Sequence, residues 1–487
     1  MTGSRWLPEG FHIGRCVAAA AFALVPVAVS AADLTITTAI GLEESFSDNA
    51  NLAEDENDRN SDLVTVVTPS IAATMRGGRV NGGLNFSRSE AISRTGASDA
   101  GSENELAATG QAELWERVAF IDAQASISRE VIDETQPSSR SLATRQVNRT
   151  ETRAYNLSPY FLHHFGTWAE TRSQITYSQV DTDSEEVSDT GSLTESFVLN
   201  SGRRFSRFLW SVTAVNSKTP REETPAIRER TIDGNGTYVL DSRLSLLAGL
   251  GWQSTEDATL VNQPKGPTWS AGFAAQPGQK TSMRLTVGER DGGPTVDFES
   301  SYRLSARTAL TASYNEQLQT SQQQISDNLS FLTVAPDGAL IDSRTGAAFV
   351  PGDDDFGLQD ETFRQRVFSL RLSGTRRRNT FSGVVRWESR ETEATGVTET
   401  VFSTDLLLNR RISERASGGF GIGYAATDFG TDNQAEEREV TFSLNYGYQI
   451  MQDAQLSLAY NLTLRNVNNQ DGDFYENAVT AGLTKRF

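Results

Sequence analysis

Cysteine is nearly missing from this chain: one in 487 residues, at Cys16, with only three histidines beside it. That scarcity excludes a disulfide scaffold, a zinc cluster and a Cys–His catalytic pair. Proline is sparse at 13 residues while aromatics reach 9%, so a disordered chain is not expected. Positive charge is also in deficit. Lys+Arg 44 against Asp+Glu 63 gives a net charge of −19, which leaves nucleic-acid binding without electrostatic support. Nor is any apolar run long enough to cross a bilayer as a helix, which needs about 20 residues.

The apolar run that does occur, Val17 to Val29, follows Arg5 and Arg15 and ends in Val29-Ser30-Ala31 before Ala32-Asp33. Its length and flanks are those of a secretory signal, so residues 1–31 read as a signal peptide and 32–487 as one exported domain. Cys16 leaves with the signal, and the mature chain is acidic and cysteine-free.

From Leu34 onward the chain alternates. Leu34, Ile36, Ile40 and Leu42 fall on one face, and Thr35, Thr37, Gly41 and Glu43 on the other. The pattern recurs at Ala119, Ile121, Ala123, Ala125 and Ile127, at Leu244 to Trp252 and at Leu456 to Leu464. Repeated along the chain, it predicts about 22 strands, within a range of roughly 18 to 24. Connections alternate in length as well. Short joints such as Arg76–Arg79, 163–166, 202–206, 375–379 and 411–414 separate long ones at 47–62, 88–104, 131–146, 181–191, 216–226, 254–267, 318–361, 427–437 and 465–473. A soluble sandwich gives no reason for every second connection to be long, whereas an outer-membrane barrel has short periplasmic turns and long outer loops. The expected fold is therefore all-β: a transmembrane antiparallel up-and-down β-barrel with both ends in the periplasm.

The wet face supplies the candidate lumen lining: Asp122, Glu170, Arg172, Arg284, Asp297, Glu299, Arg371, Arg386 and Glu388, among Ser, Thr, Asn and Gln. Aromatics on that face are few beyond Phe120, so no sugar-stacking track is visible. The last residue, Phe487, closes an alternating strand and resembles the signal read by the barrel-assembly machinery of Gram-negative bacteria.

Acidic residues gather in the long loops, as at Glu54, Asp55, Glu56, Asp58 and Asp62, at Asp181 to Asp189, at Asp353 to Asp355 and at Asp428 to Glu437. They serve either to bind divalent cations or lipopolysaccharide, or simply to solvate the loops; Asp55–Asn60 lacks the turn glycine of an EF-hand. Arginines mark the short turns. Only His163 and His164 survive in the mature chain, in a short turn beside Tyr160, Phe161, Phe165 and Trp168, where an interfacial belt is the expected role. No nucleophile, base and orienting carboxylate stand together and no phosphate loop is present, so neither an enzyme nor a cofactor or metal site is expected. The connection from Thr320 to Glu361 is long enough to be functional, and carries apolar residues at Leu329, Phe331, Leu332, Val334, Leu340, Ile341, Phe349 and Val350. It either folds into the lumen and narrows it or caps the barrel from outside.

Two stretches carry a family resemblance: Ile36 to Leu52 continued by Ser61 to Pro69, and Glu151-Thr152-Arg153-Ala154-Tyr155-Asn156-Leu157-Ser158-Pro159-Tyr160. They resemble the PEP-CTERM/exosortase system-associated outer-membrane proteins, within the broader β-barrel porins. The resemblance implies an outer-membrane location and an association with exopolysaccharide production or export and with protein sorting. It supplies no catalytic residues. The expected partners are outer-membrane lipid and lipopolysaccharide, the barrel-assembly machinery, and polysaccharide or export-complex proteins, with no nucleic acid. Two functions stay open: a porin-like channel, or a non-conducting structural or surface-assembly protein.

Overall fold

The computed structural model describes residues 32–487 apart from 99–100, 134–135, 137–138, 140, 145–147, 185–186, 222–224, 261–262, 353–355, 431–435 and 469–471. The expected signal peptide lies outside the described residues, as do the acidic residues at 185–186, 353–355 and 432.

The first strands are β1 (Asp33–Ser47), β2 (Asp62–Arg76), β3 (Val80–Ser93), β4 (Ser102–Trp115), β5 (Ala119–Val131), β6 (Arg149–Phe165), β7 (Ala169–Thr182) and β8 (Thr190–Ser201). Then follow β9 (Phe208–Thr219), β10 (Ile227–Val239), β11 (Leu244–Glu256), β12 (Lys265–Gly278), β13 (Thr281–Arg290), β14 (Gly293–Ser305) and β15 (Thr308–Gln319). The long connection next in sequence holds α1 (Ser321–Ser330), β16 (Leu332–Val334) and β17 (Leu340–Asp342). The chain finishes with β18 (Phe363–Arg376), β19 (Asn379–Thr392), β20 (Thr398–Arg411), β21 (Ala416–Asp428), β22 (Glu436–Met451), β23 (Ala454–Asn468) and β24 (Phe474–Arg486).

Leaving aside the β16–β17 hairpin, each strand pairs antiparallel with the next, β15 pairs with β18, and β24 returns to β1 with Ala39 opposite Arg486 and Ser47 opposite Ala478. The result is a closed 22-stranded barrel, matching the strand number read from the alternation. Closure leaves no strand edge unpaired, the condition for sheet in hydrocarbon. At the seam, hydroxyls of Ser45 and Thr480 lie 2.8 Å apart, Ser47 donates to Glu476 at 2.8 Å, and the Phe487 amide donates to Thr38 at 2.8 Å.

The faces are inverted relative to a soluble core. Leu34, Ile36, Leu246 and Leu406 stand exposed on the outside, and Leu250 in mid-strand is 76% exposed. A girdle of this kind is stable only against hydrocarbon. The first strand starts, and the last strand ends, on the short-turn rim.

The rims correct the sequence reading in three places. The long-loop rim is not long throughout: β13 and β14 are joined by Asp291-Gly292 alone, with φ of 55° and 76°. Two positive φ values make the twist-matched hairpin turn that Asp-Gly favours. The β19–β20 connection, 393–397, is likewise brief. Asp62 opens β2 instead of lying in a loop; it is buried and accepts from the Thr95 amide at 3.1 Å and the Ser98 hydroxyl at 2.8 Å, so it holds the β3–β4 connection in shape. His163 and His164 belong to β6 itself and point to opposite faces. His163 lies edge-on to Phe165 at 4.6 Å, as a belt residue would, whereas His164 faces the lumen 3.8 Å from Glu170.

Candidate functional site

The lumen is occupied by the chain's own β15–β18 connection. It starts with a helix because Thr320 and Gln323 form a reciprocal cap: the Gln323 amide donates to the Thr320 hydroxyl at 3.2 Å, and the Thr320 amide to the Gln323 side chain at 2.9 Å. Ile325 and Leu329, one turn apart, are buried together with Leu332, Leu340 and three small wall residues, Ala107 of β4, Ala154 of β6 and Val180 of β7. Small side chains on the wall let the helix approach. A polar pair fixes its register: Asn156 donates to the Ser326 carbonyl at 2.8 Å, and the Ser326 hydroxyl donates back to Asn156 at 2.9 Å.

Beyond α1 the segment runs on to the other end of the barrel. β16 and β17 form a hairpin turning at Ala335 to Ala339, and an added Cβ at Gly83 of β3 would come within 3.0 Å of both Val334 and Leu340. Only a glycine leaves that space. The tip reaches the β2–β3 turn, where Arg76 donates to the Ala335 carbonyl at 3.4 Å. Arg344 ties the returning chain to the helix, lying over the Phe331 ring at 4.2 Å, pairing with Asp342 at 2.7 Å and donating to Asn328 at 3.2 Å. Enclosure within the barrel pushes the carboxyl of Asp327, which itself stays exposed to the lumen, up to about 6, against the opposing pull of Arg344.

The exit is clamped by Arg390 of β19. Its side chain is 2% exposed, lies over the rings of Phe356 at 4.4 Å and Phe363 at 4.1 Å, and donates to the Gly357 carbonyl at 3.0 Å and to Gln324 of α1 at 3.4 Å. One guanidinium therefore holds both the helix and the returning strand of the segment. Above it, Thr362 donates to Asp257 at 2.6 Å, and Arg221 pairs with Asp257 at 3.0 Å while reaching the Asp360 carbonyl at 3.2 Å.

All nine candidate lumen residues sit on inward rows of their strands. Arg386 donates to Glu388 at 2.9 Å, and Gln365 also donates to Glu388, placing that pair directly beside the Arg390 clamp. Arg172 pairs with Asp122 at 3.6 Å and covers the Tyr160 ring at 3.9 Å. Arg284 and Glu299 occupy one rung on neighbouring strands, with Asp297 opposite Thr286; Arg371 stands between Thr311 and Val384, apart from these groups. Asp353 to Asp355, expected to end the segment, lie outside the described residues.

Sequence reading missed two members. Tyr160 stacks on Phe120 at 5.1 Å and 11°, so the lumen has an aromatic pair where one ring was expected. Its inward position follows from the period-two pattern of β6. Arg390 continues the inward row of Arg386 and Glu388, but its two aromatic partners come from distant sequence.

The segment packs against β3–β7, and the wall formed by β21–β23 is different. There the inward residues are Gly419, Gly421 and Gly423 of β21, Ser443 and Asn445 of β22 and Asn461 of β23; Asn445 and Asn461 remain exposed although they face inward, while Asn156 and Ser158 under the segment are buried. Part of the lumen is filled by the segment, and the β22–β23 wall keeps exposed polar side chains.

No protein family and no curated protein sequence matches the chain. Solved structures do. A mutant of the ferric enterobactin receptor PfeA from Pseudomonas aeruginosa matches with a TM-score of 0.51 at 8% identity, over 93% of this chain and 80% of that one. The ferric-catecholate import receptor Fiu from E. coli matches at 0.50 and 11% identity, over 92% and 82%. The FrpB iron transporter from Neisseria meningitidis matches at 0.50 and 10%, over 93% and 82%. At these identities the likeness is one of fold, and the chain is a closed 22-stranded barrel of the outer-membrane type.

Proposed function

We propose that the protein is a conduit through the Gram-negative outer membrane for polar solutes, narrowed by its own segment 320–362. The observation that carries this reading is the asymmetry of the lumen: the segment packs along β3–β7 and is pinned at its exit by Arg390 of β19, while Asn445 of β22 and Asn461 of β23 stay exposed on their inward rows. Barrels of 22 strands are wide enough to need an internal filling, and here the chain supplies one from its longest connection. The uncharged polar side chains Ser443, Asn445 and Asn461 on the β22–β23 wall suit neutral hydrophilic solutes. Exopolysaccharide fragments, the class suggested by the family resemblance, are the specific proposal. Phe120, half-buried and stacked on the buried Tyr160 beside Gln111, Asp122 and Arg172, supports it by offering one ring among hydrogen-bonding groups.

The test is permeation into proteoliposomes of neutral oligosaccharides of graded size. The reading expects entry of short oligosaccharides that stops at a defined length. A folded, inserted barrel that admits none of them would favour the second reading, a non-conducting surface or assembly protein, which draws on how firmly Arg390 holds the segment.

A further inference from the structure

The short-turn rim carries an uneven distribution of charge. Around part of it cations meet carboxylates: Arg79 faces Glu113 and Glu116 at 4.0 Å, and Lys485 pairs with Asp453. Along the arc from β12 to β21 they do not. There the turns present Lys280, Arg303, Arg307, Arg376–Arg378, Arg410, Arg411 and Arg415, all exposed, against Glu414 as the single carboxylate in those turns.

Backbone hydrogen bonds join these turns into one surface. The Arg303 amide donates to the Lys280 carbonyl at 2.7 Å, the Thr375 amide to Arg307 at 2.9 Å and the Arg411 amide to Arg378 at 2.9 Å. The Arg378 guanidinium donates to the Ile412 carbonyl at 3.2 Å, bridging two successive turns. Like charges gathered along one rim repel one another unless a counter-charge is supplied.

Position identifies the supplier. Arg376 and Arg410 continue the outward rows of their strands, directly below the lipid-facing Leu372 and Leu408; both are aligned with Asn379 across the β18–β19–β20 ladder, so they sit on one rung two strands apart, about 10 Å. Tyr302, Leu304 and Ile412 are exposed beside them. Cations at the lower margin of an apolar girdle stand at headgroup depth. We infer that this arc is a binding site for the phosphate headgroups of anionic phospholipids in the leaflet at the short-turn rim. The inference rests on the membrane placement of the barrel and is independent of what passes through it.

The test uses the full mature barrel reconstituted in phosphatidylcholine bilayers, with electron spin resonance of spin-labelled phosphatidylglycerol and phosphatidylcholine. The site predicts at least a twofold larger motionally restricted fraction for phosphatidylglycerol. That preference should vanish in the variant R376Q/R378Q/R410Q/R411Q, whose closed barrel is verified by heat-modifiable gel migration, and persist when exposed charges of the opposite rim, such as Arg88 and Glu90, are neutralised. Equal restriction of the two lipids, or a preference retained by the four-site variant, would overturn the proposal. So would saturable binding of tripolyphosphate to the wild-type barrel without lipid preference, which would assign the arc to a soluble polyanion.

Discussion

The Arg390 guanidinium donates to the Gly357 carbonyl at 3.0 Å while lying over the rings of Phe356 and Phe363, so the barrel wall and the segment inside it share one buried cation. Replacing Arg390 with Ala removes two hydrogen bonds from a charged donor, each worth about 1.5–3 kcal/mol. The barrel ladder is untouched. Hydrogen exchange at residues 321–330 and 356–362 should accelerate at least tenfold in R390A with the strands unchanged. R390K, which keeps the charge but not the planar fork, should fall between the two. Equal protection in all three proteins would remove Arg390 from the clamp.

Seating of the helix should depend on pH through Asp327. Its enclosure within the barrel raises the exposed carboxyl from the ordinary range to about 6, with Arg344 pulling the other way; the Asp327 charge also reaches Glu229 on β10. A raised folded-state value means stabilisation fully present below about 4 and lost as pH climbs through 6. Exchange at α1 should therefore be slowest near pH 4, after correction for intrinsic rates, and quicken toward pH 7. D327N should flatten the profile. A wild-type profile as flat as that of the variant would contradict this role.

Asp337 at the hairpin tip marks how far the segment travels. It is exposed near Arg76 on the short-turn rim, although its connection starts from the opposite rim. The only cysteine of the sequence is Cys16, before the expected mature start, so D337C introduces a unique thiol. In barrels inserted with one orientation, a bulky membrane-impermeant maleimide should modify it from the short-turn side. Modification from the long-loop side alone would show that the segment folds outward.

The two faces of a strand should respond oppositely to charge. Leu250, mid-strand on the outside, becomes a midplane charge in L250R, at a cost of about 2–4 kcal/mol. Asn461 is exposed on the inward row of β23, and N461R should cost much less than L250R because the new charge stays in water. Denaturant titration of the refolded barrels measures both. Comparable losses would mean that the faces have been assigned the wrong way round.

Much of this was legible because period-two alternation states a strand and its lipid face at once, as in Leu34, Ile36, Ile40 and Leu42. The same period puts the nine charged candidates on the polar face of their strands. It failed where the signal is short: Asp291-Gly292 is too brief to stand out as a connection, and β16 and β17 have three residues each. Helix α1 was hidden differently. Its buried face has only Ile325 and Leu329, and its other buried residues, Ser321, Gln322 and Gln324, read as solvated loop. Thr320 with Gln323 was nevertheless a readable capping pair. Whether the connection folds inward could not be decided from sequence, because apolar residues such as Leu329 and Leu340 suit a packed cap as well as a lumen wall; Gly83 and Ala154, which make room for it, are far away in the chain.

Single-channel conductance in planar bilayers, comparing the wild-type barrel with one in which residues 325–355 are replaced by a short Gly-Ser linker, tests the central claim most directly. A segment that narrows a wet lumen predicts small, stable openings in the wild type and a severalfold larger unitary conductance in the deletion. The same conductance in both proteins, each shown to be folded and inserted, would contradict it.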